Sequence, residues 1–189
     1  MINDVITALI SNYAITCFVI GLIVAGVQIA RYGSRPSAGM ISGILVNTFV
    51  LWAIGIAQAV NFVMHSFFGD FAAKSIGWAQ SPFQLELAFS SLGIAVIAFI
   101  AHRKHATLSS KVAVIVATAI FGFGAAGGHV FQIVVNHDYA VDNTGLLLFS
   151  DIAINAIGLA FVIWHAVARR RQLTATDAVP MTASATVAS

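Results

Sequence analysis

Charged residues are what this sequence has least of. Only 8% of its 189 residues are Asp, Glu, Lys or Arg, against about 25% in an ordinary soluble domain. A water-soluble bundle of this size could not cover its surface with so few, which argues against that fold. A single cysteine, Cys17, excludes an intramolecular disulfide. Its apolar surroundings mark it as a small buried or lipid-facing residue. CxxC, CxxCH and cysteine-rich metal knuckles are absent, as are HExxH, HxxxH and ExxH on any apolar segment. No glycine-rich phosphate loop appears, and no motif for nucleophilic catalysis. Basic residues come in short clusters beside apolar stretches, a pattern that gives no support to a nucleic-acid partner. The opening Met1-Ile2-Asn3-Asp4 lacks the basic region of a cleavable signal peptide, so the first apolar stretch is expected to be retained.

Hydrophobic residues make up 59% of the chain, with 14 Phe and 3 Trp among them. Such an excess calls for lipid as the solvent. Five apolar segments are predicted to cross it: residues 6–30, 38–68, 82–101, 112–135 and 145–168. Each is long enough for roughly 30 Å of hydrocarbon at about 1.5 Å per residue. The fold class is therefore all-α, an integral membrane bundle of five transmembrane helices filling residues 1–171. Residues 172–189, rich in Thr, Ala and Ser, are predicted to form a disordered cytoplasmic tail. Arg31 and Arg35 follow the first span, Arg103, Lys104 and Lys111 lie between the third and fourth, and Arg169 to Arg171 follow the fifth. With five crossings all of these share one side, and only Lys74 lies opposite. Cytoplasmic loops collect Lys and Arg, so the N-terminus is expected outside and the C-terminus inside, in the inner (plasma) membrane.

Polar groups within the spans carry the functional signal, because lipid makes them expensive. Asn47, Gln58, Asn61 and His65 are spaced by 11, 3 and 4 residues, which places them within about 60° of one another on an ideal helix. His129, Gln132 and Asn136 form a stripe on the fourth span, and Asp151, Asn155, Gly158 and His165 another on the fifth. Glu86, Ser90 and Gly93 form one on the third. These faces are expected to meet, with Gly124 and Gly128 giving the fourth span its close-contact side, opposite Ala119. The expected topology then puts Glu86, His129 and Asp151 at one level, a few ångströms below the outer surface.

Imidazole with carboxylate is the ligand set of zinc and of non-haem iron. One reading is thus a divalent metal (Zn or Fe) on Glu86, His129 and Asp151, with His65 or His137 as a further ligand. Asn61, Gln132, Asn136 and Asn155 would then form its polar surroundings, and a membrane metalloenzyme or a small-ligand site would follow. The same groups are the usual material of a proton-coupled carrier or proton pathway, though the inner half offers chiefly Asn47 and His165 to complete one. Haem b on His65 and His129 outside, with His102 and His165 inside, is disfavoured by two carboxylates crowding the outer pair. A non-catalytic membrane partner or assembly protein has no positive mark. Each group also has a plain structural role open to it. The carboxylates can accept interhelical hydrogen bonds. His65 and His137 can sit at the surface, as can His102, His105 and His165 at the inner interface. Beyond the bilayer itself, an ion or small-molecule ligand is the partner these residues suggest. They say nothing of oligomeric state.

The segment Ser81-Pro82-Phe83-Gln84-Leu85-Glu86 and the run Gly128-His129-Val130-Phe131-Gln132 with Asn136-His137-Asp138-Tyr139 resemble a family of small bacterial membrane proteins classed as a domain of unknown function. The resemblance covers the third span through the fifth. It implies a multi-helix membrane fold, and it assigns no activity and no catalytic residue.

Overall fold

The computed structural model describes residues 12–33 and 35–177. The apolar runs become five long helices: α1 (Tyr13–Ala30), α2 (Ala38–Phe67), α4 (Phe83–His102), α5 (Leu108–Asn136) and α7 (Leu146–Asp177). Two short helices, α3 (Gly69–Ser75) and α6 (Val141–Thr144), lie in the connections at one end. No strand occurs among the described residues. All five long helices are apolar and long enough to cross a bilayer, so this is a multi-pass membrane protein.

Local signals explain where the helices start and stop. Ser37 Oγ accepts from Met40 N at 3.2 Å ahead of α2, and Thr107 Oγ1 accepts from Ser110 N at 3.2 Å ahead of α5. Each satisfies a backbone donor that the first helical turn leaves free. α5 ends where His137 turns left-handed (φ 52°) and Asp138 N returns to Gln132 O at 3.2 Å, a closure that usually falls to glycine.

The boundaries differ from the expected ones in two informative places. α5 begins at Leu108, four residues before the expected start at 112, because Thr107 caps it. α7 runs on to Asp177, through Gln172 and the first residues assigned to a tail. Gln172 Nε2 donates to Ser37 Oγ at 2.9 Å, which ties this extension to the start of α2. Residues 6–11 of the first predicted span and 178–189 of the predicted tail lie outside the described residues.

α2 is the central post, packed against α1, α4, α5 and α7. Its middle, Phe49–Ile56, is wound as a π-helix, a wider turn than the α-helix on either side. That stretch breaks the 3.6-residue phase on which Asn47 was grouped with Gln58 and Asn61. α4 meets α2 through Ala88, Ser91, Ala95, Ala98 and Ala101, all essentially inaccessible. Lipid gives no hydrophobic drive between helices, so close approach of small residues is what holds such a pair. Val46, Val50, Ile54, Val114 and Ile115 fill the middle of the bundle as an apolar layer.

α5 does not use the close-contact side expected of it. Ala119, Gly122 and Ala126 are buried, while Gly124 and Gly127 have open space where a side chain would begin. Gly122 is the tight position, since a methyl group there would overlap the Asn155 side chain of α7. That neighbour lies elsewhere in the chain, so glycine spacing along α5 could not reveal it.

Candidate functional site

One half of the bundle, the end carrying α3 and α6, holds a partly open cavity of about 620 Å³. All five long helices contribute walls. Phe49, Ile54, Phe121, Leu147 and Ile154 make most of it apolar, and Tyr13, Gln58, Asn61, His129, Asp151 and Asn155 supply polar groups. Among the described residues no Lys or Arg lines it, whereas two carboxylates, Asp142 and Asp151, do.

His129 is held by a chain of contacts that starts in the backbone. Asp138, just past the end of α5, accepts from Ala140 N through Oδ1 at 3.0 Å and so sets the turn into α6. Asn143, fully buried in α6, donates through Nδ2 to Asp138 O at 2.8 Å. A carbonyl can only accept, so the Asn143 amide must present Oδ1 on its other side. That oxygen lies 2.7 Å from His129 Nδ1. The ring therefore carries a proton on Nδ1 and directs Nε2 the other way. Asp151 Oδ2 stands 3.9 Å from Nε2. The Trp78 indole covers the ring with centroids 5.4 Å apart and planes tilted by 38°. Trp78 is placed by its own backbone N–H, which donates to Ala73 O at 2.9 Å. Beside it, Gly77 (φ 77°) packs so close to the Asp138 carboxylate that a Cβ would lie 2.7 Å from Oδ1. The two loops at this end are thus built against each other over His129.

A second chain of hydrogen bonds crosses the cavity wall. Tyr13 Oη donates to Asn61 Oδ1 at 2.6 Å, Asn61 Nδ2 to Ser91 Oγ at 2.8 Å, and Ser91 Oγ to Leu87 O at 3.0 Å. Three helices are linked by it. Asn155 Nδ2 donates to Asp151 O within α7 at 2.7 Å. Gln58 stands apart: its side-chain oxygen is buried and has no hydrogen-bond partner among the described residues. An unmatched buried acceptor costs about 1–3 kcal/mol, so it marks a place where a donor from elsewhere is wanted.

The sequence-predicted residues divide between this cavity and other places. His129, Asp151, Asn61 and Asn155 line it. So does His65, whose Nδ1 is engaged with Gln84 Oε1 at 2.8 Å. Glu86 does not line it; it is exposed on the outward side of α4 together with Ser90 and Gly93. The reason is angular: Asn61 bonds Ser91, which turns the Ala88–Ser91–Ala95 face inward, and Glu86 lies about 140° around the helix from Ser91. As the fourth residue of α4 it sits favourably near the positive end of the helix dipole. His137 is exposed at the end of α5, and Gln132 and Asn136 bond each other outside the cavity. Among the described residues no three of His, Cys, Asp and Glu gather as a metal cage. His129 and Asp151 are two donors without the third expected from Glu86.

The histidines named for haem are dispersed as well. His102 Nδ1 lies 3.2 Å from Asn47 O, and His165 Nδ1 lies 3.0 Å from Ser42 Oγ. Both are at the basic end, where Lys111 also bonds Asn47. The Val46–Val50–Ile54–Val114–Ile115 layer lies between that end and the cavity.

Sequence reasoning passed over Tyr13, Trp78 and Asn143 as members of the site. Tyr13 stood just inside the first apolar run and Trp78 in an unassigned loop. Asn143 falls between the fourth and fifth predicted spans, yet it is among the most deeply buried residues. The separation of 14 residues between His129 and Asn143 has no helical meaning, so only the folded turn could join them.

The chain belongs to a family of unknown function, DUF6790, whose model matches residues 11–171. The match takes in all five long helices, and so reaches further than the third to fifth spans on which the resemblance was first seen. No curated protein and no solved structure matches the chain. Membership supplies no activity, and a functional reading has to rest on the cavity.

Proposed function

We propose that the protein binds a small amphipathic ligand inside the membrane. The ligand's polar end meets His129, Asp151 and Gln58, and its apolar part lies along Phe49, Ile54, Phe121 and Leu147. The observation that carries this is a cavity of about 620 Å³ with apolar walls and a few converging polar groups, one of them an imidazole of fixed orientation. Small-molecule sites typically measure about 300–1,000 Å³ and are built in this way. The metal reading loses support with Glu86 turned away, because a resident zinc is held by at least three protein ligands. The apolar layer of Val46, Val50, Val114 and Ile115 offers no proton-carrying group and so favours binding over a proton path running through the bundle.

In the same proposal the N-terminus is outside, the C-terminus is cytoplasmic, and the cavity lies in the outer half of the inner (plasma) membrane. All Lys and Arg except Lys74 fall at the end opposite the cavity, and that asymmetry supports this orientation.

Thermal unfolding of the purified protein in nanodiscs, across a set of small amphipathic compounds, tests the binding reading. Wild type is expected to be stabilised by one or more compounds, with about 2.7 kcal/mol available at 100 times Kd. Gly128→Leu projects a side chain into the cavity, where a Cβ meets only Trp78 at 3.7 Å, and should lose the response. Equal responses from the two proteins would refute cavity binding.

A further inference from the structure

Resting on that reading, the chemical class of the ligand can be narrowed from the groups that wait for it. Several acceptors at the cavity have no donor among the described residues. Gln58 has a buried side-chain oxygen with no partner among the described residues. Asn155 uses its Nδ2 on Asp151 O, and no bond to its side-chain oxygen occurs among the described residues. The Tyr13 hydroxyl is already given to Asn61, and the Asn61 amide nitrogen to Ser91. Asn143 fixes the His129 proton on Nδ1, so in the neutral ring Nε2 is a lone pair. That lone pair and Asp151 Oδ2 are two acceptors 3.9 Å apart, a gap that one donor nitrogen can bridge with ordinary bonds of about 2.9 Å.

Charge agrees with this donor-seeking pattern. Asp142 and Asp151 line the cavity, and among the described residues no Lys or Arg does. A carboxylate at this depth calls for a cationic neighbour. Tyr13, Phe49, Phe71 and Trp78 present aromatic surface to the same space, and aromatic faces attract organic cations within about 6 Å. We infer that the ligand is a lipophilic organic cation, an amine whose protonated nitrogen bridges His129 Nε2 and Asp151 Oδ2 and whose apolar body fills the remainder of the cavity.

Three probes of one shape isolate the charge: 4-phenylbutylamine, 4-phenylbutanol and 4-phenylbutyrate. Their binding is measured by equilibrium dialysis against the full chain in phosphatidylcholine nanodiscs, with empty nanodiscs subtracted. The amine is expected to bind at least about tenfold more tightly than the alcohol, and the acid more weakly still, since hydrogen bonds to charged groups exceed neutral ones by that much. Asp151→Asn, which keeps the side-chain shape, should abolish the amine's advantage over the alcohol. Gln58→Leu should weaken the amine as well, and it carries the test should Asp151→Asn fail to fold. Alcohol or acid binding as tightly as the amine overturns the cationic class and leaves the cavity reading standing. An amine preference that survives Asp151→Asn overturns the assignment to this pair. Absence of binding by all three probes overturns both the class and the cavity reading.

Discussion

The amide of Asn143 decides which nitrogen of His129 bears a proton. The 2.7 Å contact between Oδ1 and Nδ1 can form one way round only, because the same amide is already committed to Asp138 O. A histidine 5% exposed in the membrane end of α5 thereby becomes a directional acceptor toward Asp151. Asn143→Ala is expected to lower stability by about 1–3 kcal/mol, since it leaves a buried imidazole N–H and a carbonyl unmatched. Thermal unfolding reads that loss, and compounds that stabilise wild type should stabilise this variant less. A melting temperature equal to wild type would show that the turn does not depend on the contact.

Tyr13, Asn61 and Ser91 link three helices in series, so their contributions should not add. Tyr13→Phe is expected to cost about 0.6–1.7 kcal/mol, the range found for hydrogen bonds between membrane helices. In an Asn61→Ala background the same substitution should cost almost nothing further. A double-mutant cycle on unfolding free energies measures the coupling, and full additivity would contradict the chain of bonds.

Gly122 and Gly124 are two residues apart and should respond in opposite ways. Leucine at 122 would collide with Asn155, whereas at 124 nothing lies within 4 Å of a new Cβ. Gly122→Leu should therefore destabilise by about 1–3 kcal/mol or more. Gly124→Leu should stay within about 0.5 kcal/mol of wild type. The reverse order would mean that α5 presents its other face to α7.

Glu86→Gln should change neither unfolding nor ligand binding beyond about 0.5 kcal/mol, as expected of an exposed residue. Loss of binding in this variant would return Glu86 to the site.

Orientation is open to labelling by an impermeant maleimide on intact cells, with Cys17→Ala as the background. Tyr139→Cys, exposed at the cavity end, should react, and Ser109→Cys, exposed at the basic end, should react only after lysis. The opposite pattern would invert the proposed topology.

The five long helices were legible because lipid imposes a simple requirement. Each span must be apolar over roughly 20 residues, and composition alone displays that. The approach of His129 and Asp151 could also be anticipated, since both lie near the same end of adjacent antiparallel helices. Glu86 shows where the reasoning ran out. Its stripe with Ser90 and Gly93 was as regular as any other, yet α4 packs through Ala88, Ser91 and Ala95. Small size outranks polarity as a packing signal between membrane helices. Asn47 fails for another reason, the π-helical turn, which no residue type in Phe49–Ile56 announces. Asn143 needed the turn after α5 to be known first.

The cavity draws its walls from Tyr13 through Asn155, and this imposes an order on biogenesis. As the nascent chain enters the bilayer, Gln58 and Asn61 arrive with the second long helix and His129 with the fourth. The latch on the His129 ring and its carboxylate neighbour come later, with Asn143 and Asp151. Until the last helix is threaded, these polar groups face lipid or a neighbouring protein, where they are costly. A chain whose last helix has not yet entered the bilayer thus presents a trough that lacks the α7 wall. To the cell's quality control, the side chains that seat a ligand in the finished protein would mark the unfinished one.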